Sequence, residues 1–154
     1  MKLNKRCLES IDESVLCWLA SVGADGTPNV TPKQIFTHHE NTLLIANIAS
    51  ANTVENVQMN PKICVSMIEI FAMRGFKYTG MAKYFDKDSP EYQVLAPKLV
   101  AIAGPDFAVL GVIQVEIQHI EAIMSPSWRL FPERTIAERK AKTMSEDYGV
   151  KPLN

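Results

Sequence analysis

Hydrophobic and polar residues along the N-terminal part of the chain follow first a helical and then a strand period. Residues 3–11 have their apolar positions at helical spacing and charged residues on the other side, which predicts a short amphipathic helix. Residues 14–22 are rich in strand formers, and Asp25-Gly26 is a turn signal before residues 28–36. These two runs predict a β-hairpin.

The second strand of this hairpin contains two prolines, Pro28 and Pro32. Proline has no N–H to donate to a neighbouring strand, so it is found at sheet edges and at bulges. We therefore expect residues 28–36 to lie at an edge or to have a bulge near residues 31–33. Such an irregular strand leaves backbone groups free for a ligand.

A buried strand at residues 42–47 leads into a loop of small, hydroxyl and amide residues and then into a short helix. Asn52 is the predicted N-cap, Glu55 would complete a capping box, and Asn60-Pro61 ends the helix. Free backbone N–H groups at such a helix start suit a phosphate. The alternative is that the same residues only cap the helix.

The rest of the chain supplies three more strands and two helices. The predicted strands are residues 63–70, 76–85 and 108–124. The predicted helices are residues 88–101 and, within a C-terminal extension of residues 126–154, a charged helix that begins with a capping box of Thr135 and Glu138. In the second of these strands, Tyr78, Gly80 and Ala82 share one face, and Gly80 indicates a close backbone approach or a bend. In the last strand, Val115, Ile117 and His119 are expected to face one way.

Six strands in hairpin-like succession, with helices between them, predict a mainly β fold. We expect one domain over residues 1–154, built as an antiparallel barrel with peripheral helices. A dinucleotide-binding Rossmann site is disfavoured because no GxGxxG motif follows a strand.

Charge and composition exclude several partner classes. The 16 basic and 17 acidic residues give a net charge of -1, so neither nucleic acid nor an anionic membrane surface is an expected partner. No apolar run is long enough for a membrane span, and the first 14 residues lack a signal-peptide core. The expected location is the cytoplasm.

The cysteines and the paired histidines each allow a functional and a non-functional interpretation. The three cysteines are Cys7, Cys17 and Cys64. An odd number without CxxC spacing favours reduced thiols over disulfides or zinc, although a catalytic thiol remains an alternative. His38 and His39 beside Glu40 invite a metal interpretation, but adjacent residues in a tight turn seldom converge on one ion.

Four segments together resemble the FMN-binding split barrel family, which contains pyridoxamine 5'-phosphate oxidase and its relatives. They are WLASVGADGTPNVTPK, LLIANIASANT, VENVQMNPKICVSM and RGFKYTGMAKYF, and they extend from about residue 14 to residue 85. The resemblance implies a six-stranded antiparallel split barrel, usually a homodimer, with FMN in a groove at the subunit interface.

The same resemblance implies a set of cofactor-binding residues. In the second strand they are Thr31, Pro32, Lys33 and Gln34; at the end of the third strand they are Ala46 and Asn47. The phosphate would be held at the helix start by Ser50, Asn52 and Thr53. The residues that in relatives can reach the cofactor of the other subunit are Arg74, Gly75 and Lys77.

The chain departs from the family pattern at several positions. Relatives often have Arg or Lys where this chain has Thr31 and Asn52, so FMN would be held less firmly unless Lys33, Arg74 or Lys77 compensates. Phe36 stands where true pyridoxamine phosphate oxidases have a lysine, and residues 126–154 contain no Arg-x-His. We therefore do not predict pyridoxamine phosphate oxidase activity. In that segment, Trp128 and Phe131 would either cover the flavin or substrate pocket or anchor the last helix.

Three hypotheses for function follow. The first is an FMN-dependent oxidoreductase that acts on a small-molecule substrate, with the flavin doing the redox chemistry. The second is a binding protein without turnover, which holds flavin, haem or a deazaflavin. The third is a dimeric barrel that has lost its ligand. Association would also cover exposed strand edges.

Overall fold

The structure is a mainly β fold in which one antiparallel sheet of seven strands curls into a half-barrel, as the split-barrel prediction requires. The computed structural model describes residues 2–151. The strands are β1 (Cys17–Val22), β2 (Pro28–Lys33), β3 (Phe36–His39), β4 (Thr42–Asn47), β5 (Lys62–Glu69), β6 (Arg74–Asp86) and β7 (Gly111–Met124). The helices are α1 (Lys5–Glu13), α2 (Ala51–Met59), α3 (Pro90–Ala103), α4 (Ser127–Leu130) and α5 (Ile136–Lys142), and a π-helical turn, Thr143–Asp147, follows α5.

The sheet has one strand more than predicted, because the segment expected as a single strand at residues 28–36 is two strands. The strand order is β2-β1-β5-β6-β7-β4-β3. β2 pairs with β1, whereas β3 pairs with β4 at the opposite edge. Residues 34–35 form the bend at which the chain changes partner. The expected edge position of the proline-containing strand is confirmed.

Two hydrophobic cores lie on the two faces of the curled sheet. The larger one fills the barrel, where α1 contributes Cys7 and Ile11 and the strands contribute residues such as Leu19 and Tyr78. The smaller one lies under α3 and contains Leu44, Ala46, Leu99 and Val112. β4 is therefore buried on both faces, which explains why residues 43–47 form an uninterrupted buried run.

The predicted close approach at Gly80 is confirmed. A Cβ atom at this position would overlap the carbonyl oxygen of Glu116 in β7, so only glycine fits. The pairing of β6 with β7 is irregular at the same place, because Thr79 lies opposite His119 while Gly80 lies opposite Ile117. This bulge reverses the alternation of β7. Val115 and Ile117 are buried as expected, but His119 is exposed, contrary to its predicted face.

The C-terminal segment is docked by a buried arginine and an aromatic ring. The capping box of Thr135 and Glu138 begins α5 as predicted. Arg139 is only 6% exposed, lies 4.2 Å from the Trp128 ring, and donates to the carbonyl oxygens of Ser127, Phe131 and Arg134. Trp128 also donates its indole N–H to the Ala72 carbonyl oxygen at 2.9 Å. Trp128 therefore has the anchoring role that was one of its two interpretations.

Between residues 2 and 151, no helix combines the length and hydropathy needed to cross a membrane.

Candidate functional site

The ends of β2 and β4 and the beginning of α2 meet in a group of polar side chains, which we call the Lys33 cluster. Its members are Thr31, Lys33, Asn47, Ser50 and Thr53. The Lys33 ammonium donates to the Ser50 hydroxyl, and the hydroxyls of Thr31 and Thr53 lie 3.2 Å apart. The Asn47 side-chain oxygen accepts the Ser50 N–H at 3.1 Å. Residues up to 22 positions apart in sequence thus converge on one helix start.

The start of α2 differs from the prediction. Ser50, not Asn52, is the N-cap, and Asn52 lies in the first turn, where its amide donates to Asn29 at 3.2 Å. Because Asn47 accepts the Ser50 N–H, the turn closes earlier and the helix begins at Ala51, two residues before the position that an Asn52 cap would set. Glu55 is exposed and completes no capping box. The capping-box prediction was wrong.

No side chain of the described residues accepts a hydrogen bond from the backbone N–H groups at this helix start. The backbone N–H groups of Ala51, Asn52 and Thr53 have no hydrogen-bond acceptor among residues 2–151, and the first helical bond runs from Val54 to the Ser50 carbonyl oxygen. These orphan N–H groups carry the partial positive charge of the helix dipole. The helix start therefore remains available to an anion, as the phosphate interpretation requires.

Lys33 places a cation beside these donors at a cost in solvation. The side chain is 7% exposed, and burial lowers the pKa of its ammonium group, while the neighbouring Cys17 thiol acts in the opposite direction. None of the carboxylates in the described part of the chain lies within ion-pair distance of Lys33. Burial raises the pKa of the Cys17 thiol to about 12, so it is neutral near pH 7 and supplies no counter-charge. A buried cation without an anion is the clearest electrostatic feature of the site.

Asn47 is held by a residue that the sequence did not indicate. Its amide donates to the Tyr84 hydroxyl at 3.1 Å, and Tyr84 lies on β6, 37 residues away. Asn47 itself is buried, so both ends of its amide are engaged, one by Tyr84 and the other by Ser50. This connection fixes the loop before α2. No local pattern in the sequence could have revealed it.

The remaining predicted residues lie around the cluster or apart from it. Pro32 and Gln34 are exposed beside Lys33, and the Ala46 side chain is buried in the core under α3. The residues predicted to reach the partner's cofactor lie at the start of β6, in a different part of the subunit: Arg74, Gly75 and Lys77. Within one chain they make no contact with the Lys33 cluster. Their predicted role across a subunit interface stays a prediction.

Each of these three residues has a local environment of its own. The Arg74 guanidinium lies over the Trp128 ring, 5.4 Å from its centroid. A Cβ at Gly75 would overlap the Met67 backbone, which accounts for a glycine there. Lys77 forms an ion pair with Glu121 at 2.9 Å.

The cysteines and histidines form no comparable cluster. Cys7 and Cys17 are buried, and burial outweighs the neighbouring lysines and raises the pKa of Cys17 and of the half-buried Cys64, so neither of these two thiols is activated as a thiolate. His38 and His39 end β3, and residues 2–151 contain no group of three or more His, Cys, Asp or Glu side chains arranged to hold a metal ion.

Comparison with known proteins identifies the family. Residues 3–124 match the family described as pyridoxamine 5'-phosphate oxidase. The chain belongs to the pyridoxamine 5'-phosphate oxidase family. The match covers α1 and the whole sheet, and it ends where β7 ends. The C-terminal segment with Trp128 and Arg139 therefore lies beyond the part shared with the family.

Solved structures share the fold of this pyridoxamine 5'-phosphate oxidase family member. HupZ of Group A Streptococcus is 20% identical, with a TM-score of 0.68 over 80% of this chain and 95% of its own. HutZ, the haem storage protein of Vibrio cholerae, is 19% identical, with a TM-score of 0.64 over 80% and 95%. An FMN-binding protein from Syntrophomonas wolfei is 14% identical, with a TM-score of 0.62 over 79% and 86%. No curated protein matches this family member by sequence.

Proposed function

We propose that the chain binds FMN, with the phosphate group at the start of α2, and that it acts as a flavin-dependent oxidoreductase on a small molecule. The observation that carries this proposal is the buried Lys33 ammonium without a carboxylate partner, next to three unpaired backbone N–H groups. A phosphate dianion would supply the missing negative charge and accept hydrogen bonds from both. The family membership and the similarity to an FMN-binding protein agree with this choice.

The donor set fits a phosphate even though two family positions lack a basic residue. Thr31 and Asn52 offer no charge, but the hydroxyls of Thr31, Ser50 and Thr53 and the helix dipole add to the charge of Lys33. Because Lys33 is buried, its interaction with an anion is screened less than that of a surface lysine. We therefore expect Lys33 to compensate for the missing basic residues.

Bound FMN would supply hydride and electron transfer, and the chain would supply binding and orientation. Lys33 and the helix start would hold the phosphate, while residues 31–34, at the end of the edge strand β2, would line the ribityl chain and ring. Phe36 is buried where a substrate lysine would stand in a pyridoxamine phosphate oxidase, so a different substrate is expected.

We propose a homodimer as the functional unit. The outer face of β1, β2 and β5 carries an open groove of about 660 Å³, lined by apolar side chains such as Ala20, Val22 and Val30. Trp18 and Val30 on these strands are exposed, and association would cover them. The second subunit would bring Lys77, and the backbone at Gly75, toward the flavin of the first.

Titration with FMN, followed by quenching of flavin fluorescence, tests the proposal. We expect saturable binding of one FMN per chain that weakens in Lys33→Ala and in Thr53→Ala. Lys83→Ala is the matched control, because Lys83 is an exposed lysine on β6 and should leave the affinity unchanged. Absence of binding, or equal loss in all three variants, would contradict the site. Sedimentation as a monomer at micromolar concentration would contradict the interface.

A second candidate function is storage or transport of another cofactor without turnover. It is favoured by the similarity to HutZ, a haem storage protein with the same fold. Haem and flavin give different visible spectra, so titration with haemin or a deazaflavin distinguishes the two functions. Bleaching of bound FMN by a nicotinamide donor would favour the oxidoreductase over a binding protein.

A further inference from the structure

A second cavity lies away from the Lys33 cluster, between α1, the start of β6, the end of β7 and α4. Its volume is about 430 Å³. The residues that matter for its chemistry are Arg6, Ser10, Arg74, Phe76, Met124 and Trp128. This cavity, which we call the Arg74 cavity, is formed within a single subunit and shares no residue with the Lys33 cluster.

Arg74 brings an unused cation to this cavity. Its guanidinium carbon lies over the Trp128 ring, 5.4 Å from the ring centroid and within the range of a cation–π interaction. The guanidinium N–H donors form no hydrogen bond or ion pair with any of residues 2–151.

The acidic residues around the cavity do not neutralise Arg74. Glu69 accepts hydrogen bonds from the N–H groups of Phe71 and Ala72 at 3.0 and 2.8 Å, and Lys140 pairs with it at 3.2 Å. Glu9 pairs with Lys5 at 3.7 Å. Glu13 is exposed at the end of α1. The carboxylate closest to Arg74 in the sheet, that of Glu69, is thus already compensated, and Arg74 remains available for an anion.

The rest of the cavity suits an apolar group with one polar end. Phe76 and Met124 contribute hydrocarbon surface, and Trp128 contributes an aromatic face. The Ser10 hydroxyl oxygen is buried and has no hydrogen-bond partner among the described residues. This oxygen is closed to solvent, so the polar contact to a ligand falls to Arg74.

We propose that the Arg74 cavity binds a small carboxylic acid with an apolar body. The carboxylate would accept two parallel hydrogen bonds from the Arg74 guanidinium, while the body packs on Phe76, Met124 and Trp128. Arg74 then belongs to this cavity rather than to a flavin at the subunit interface. Lys77 points to the other face of β6 and keeps its interface role.

Trp128 is a built-in reporter for this binding. Trp18→Phe removes the only other tryptophan, so the emission of the variant comes from Trp128 alone. In this background we would titrate phenylacetate and its uncharged counterpart phenylacetamide, up to about 10 mM, with isothermal calorimetry as a second readout. Because the two probes differ only at the charged end, their comparison isolates the Arg74 interaction.

We expect phenylacetate to change the Trp128 emission saturably and to bind about tenfold more tightly than phenylacetamide. Arg74→Gln should abolish this preference. Arg134→Gln is the matched control, because Arg134 also stacks on an aromatic ring, Phe131, but lies outside the cavity. This control should keep the preference for the acid.

Three results would overturn the proposal: no saturable response to phenylacetate, equal binding of the acid and the amide, or an unchanged preference in Arg74→Gln. Circular dichroism checks that the variants are folded. If a variant does not fold, the comparison of phenylacetate with phenylacetamide in the protein that retains Arg74 still shows whether the cavity prefers a carboxylate. Repeating the titration with saturating FMN should give the same affinity. A failure of FMN to bind and a failure of the acid to bind are therefore separate outcomes.

Discussion

Replacing Lys33 with methionine should make the ligand-free protein more stable and the FMN complex weaker. Methionine matches the length of the buried side chain and removes its charge. Lys33 is 7% exposed as a residue and its ammonium group has no carboxylate partner, so burial penalises the charged form. We expect Lys33→Met to raise the free energy of unfolding of the apo protein by about 1 kcal/mol, or its Tm by about 2–4 °C.

The effect on FMN binding should have the opposite sign. A charge-assisted hydrogen bond to phosphate contributes about 1.5–3 kcal/mol, so its loss should weaken FMN binding by about 10- to 100-fold. Chemical denaturation of the apo protein and fluorescence titration with FMN measure the two quantities separately. Lys83→Met, on the exposed surface of β6, should change the unfolding free energy by less than about 0.5 kcal/mol and leave the FMN affinity unchanged.

The difference in unfolding free energy between Lys33→Met and the natural protein should decrease as the pH rises. The pKa of Lys33 is lowered in the folded protein relative to its ordinary value of 10.5. Between those two pKa values the unfolded chain binds more protons, so the stability of the natural protein rises with pH. The advantage of Lys33→Met is thus full below the lowered pKa of the folded protein and shrinks as the pH rises toward 10.5. If Lys33→Met destabilised the apo protein, or if it left FMN binding intact, the buried-cation argument would be refuted.

Three further substitutions test the architecture around the site. Tyr84→Phe should remove the hydrogen bond that supports Asn47 and lower the FMN affinity by about 3- to 10-fold. Tyr78→Phe removes a hydroxyl on the α1 side of the core and should leave the FMN affinity unchanged. Equal affinities in the two variants would contradict the positioning role of Tyr84. Gly80→Ala should lower the unfolding free energy by about 3 kcal/mol, because the new Cβ would overlap the Glu116 backbone. Gly26→Ala should lower it by only about 1 kcal/mol, because the alanine has free space and must only adopt a positive φ of 85°. Denaturation experiments that rank the two variants in the reverse order would contradict the close approach at the bulge. Arg139→Met should remove the side-chain hydrogen bonds to three carbonyl oxygens and speed proteolysis of residues 125–151, while Arg129→Met on the exposed face should not; unchanged proteolysis would mean that the segment is held by other contacts.

Local patterns in the sequence were sufficient for most of the elements. Alternation placed Tyr78, Gly80 and Ala82 on the buried face of β6, and the capping box of Thr135 and Glu138 correctly begins α5. Both signals depend on neighbours within a few residues, so they act in any tertiary context. The resemblance to the family then added the antiparallel split barrel, and it pointed to Lys33, Ser50 and Thr53, which the fold brings together.

Tertiary structure alone decided the features that depend on distant partners. The break at residues 34–35 arises because β2 and β3 pair with opposite edges of the sheet, and the bulge opposite Gly80 turns His119 outward. The bond between Asn47 and Tyr84 and the stacking of Arg74 on Trp128 join residues 37 and 54 positions apart. Neither pair leaves a periodic trace in the sequence, since such contacts are set by how the sheet curls and where the C-terminal segment docks. The sequence by itself therefore determined most of the strands and helices and the position of the loop before α2, while only the folded sheet decided which side chains surround that loop and which cation was left without an anion.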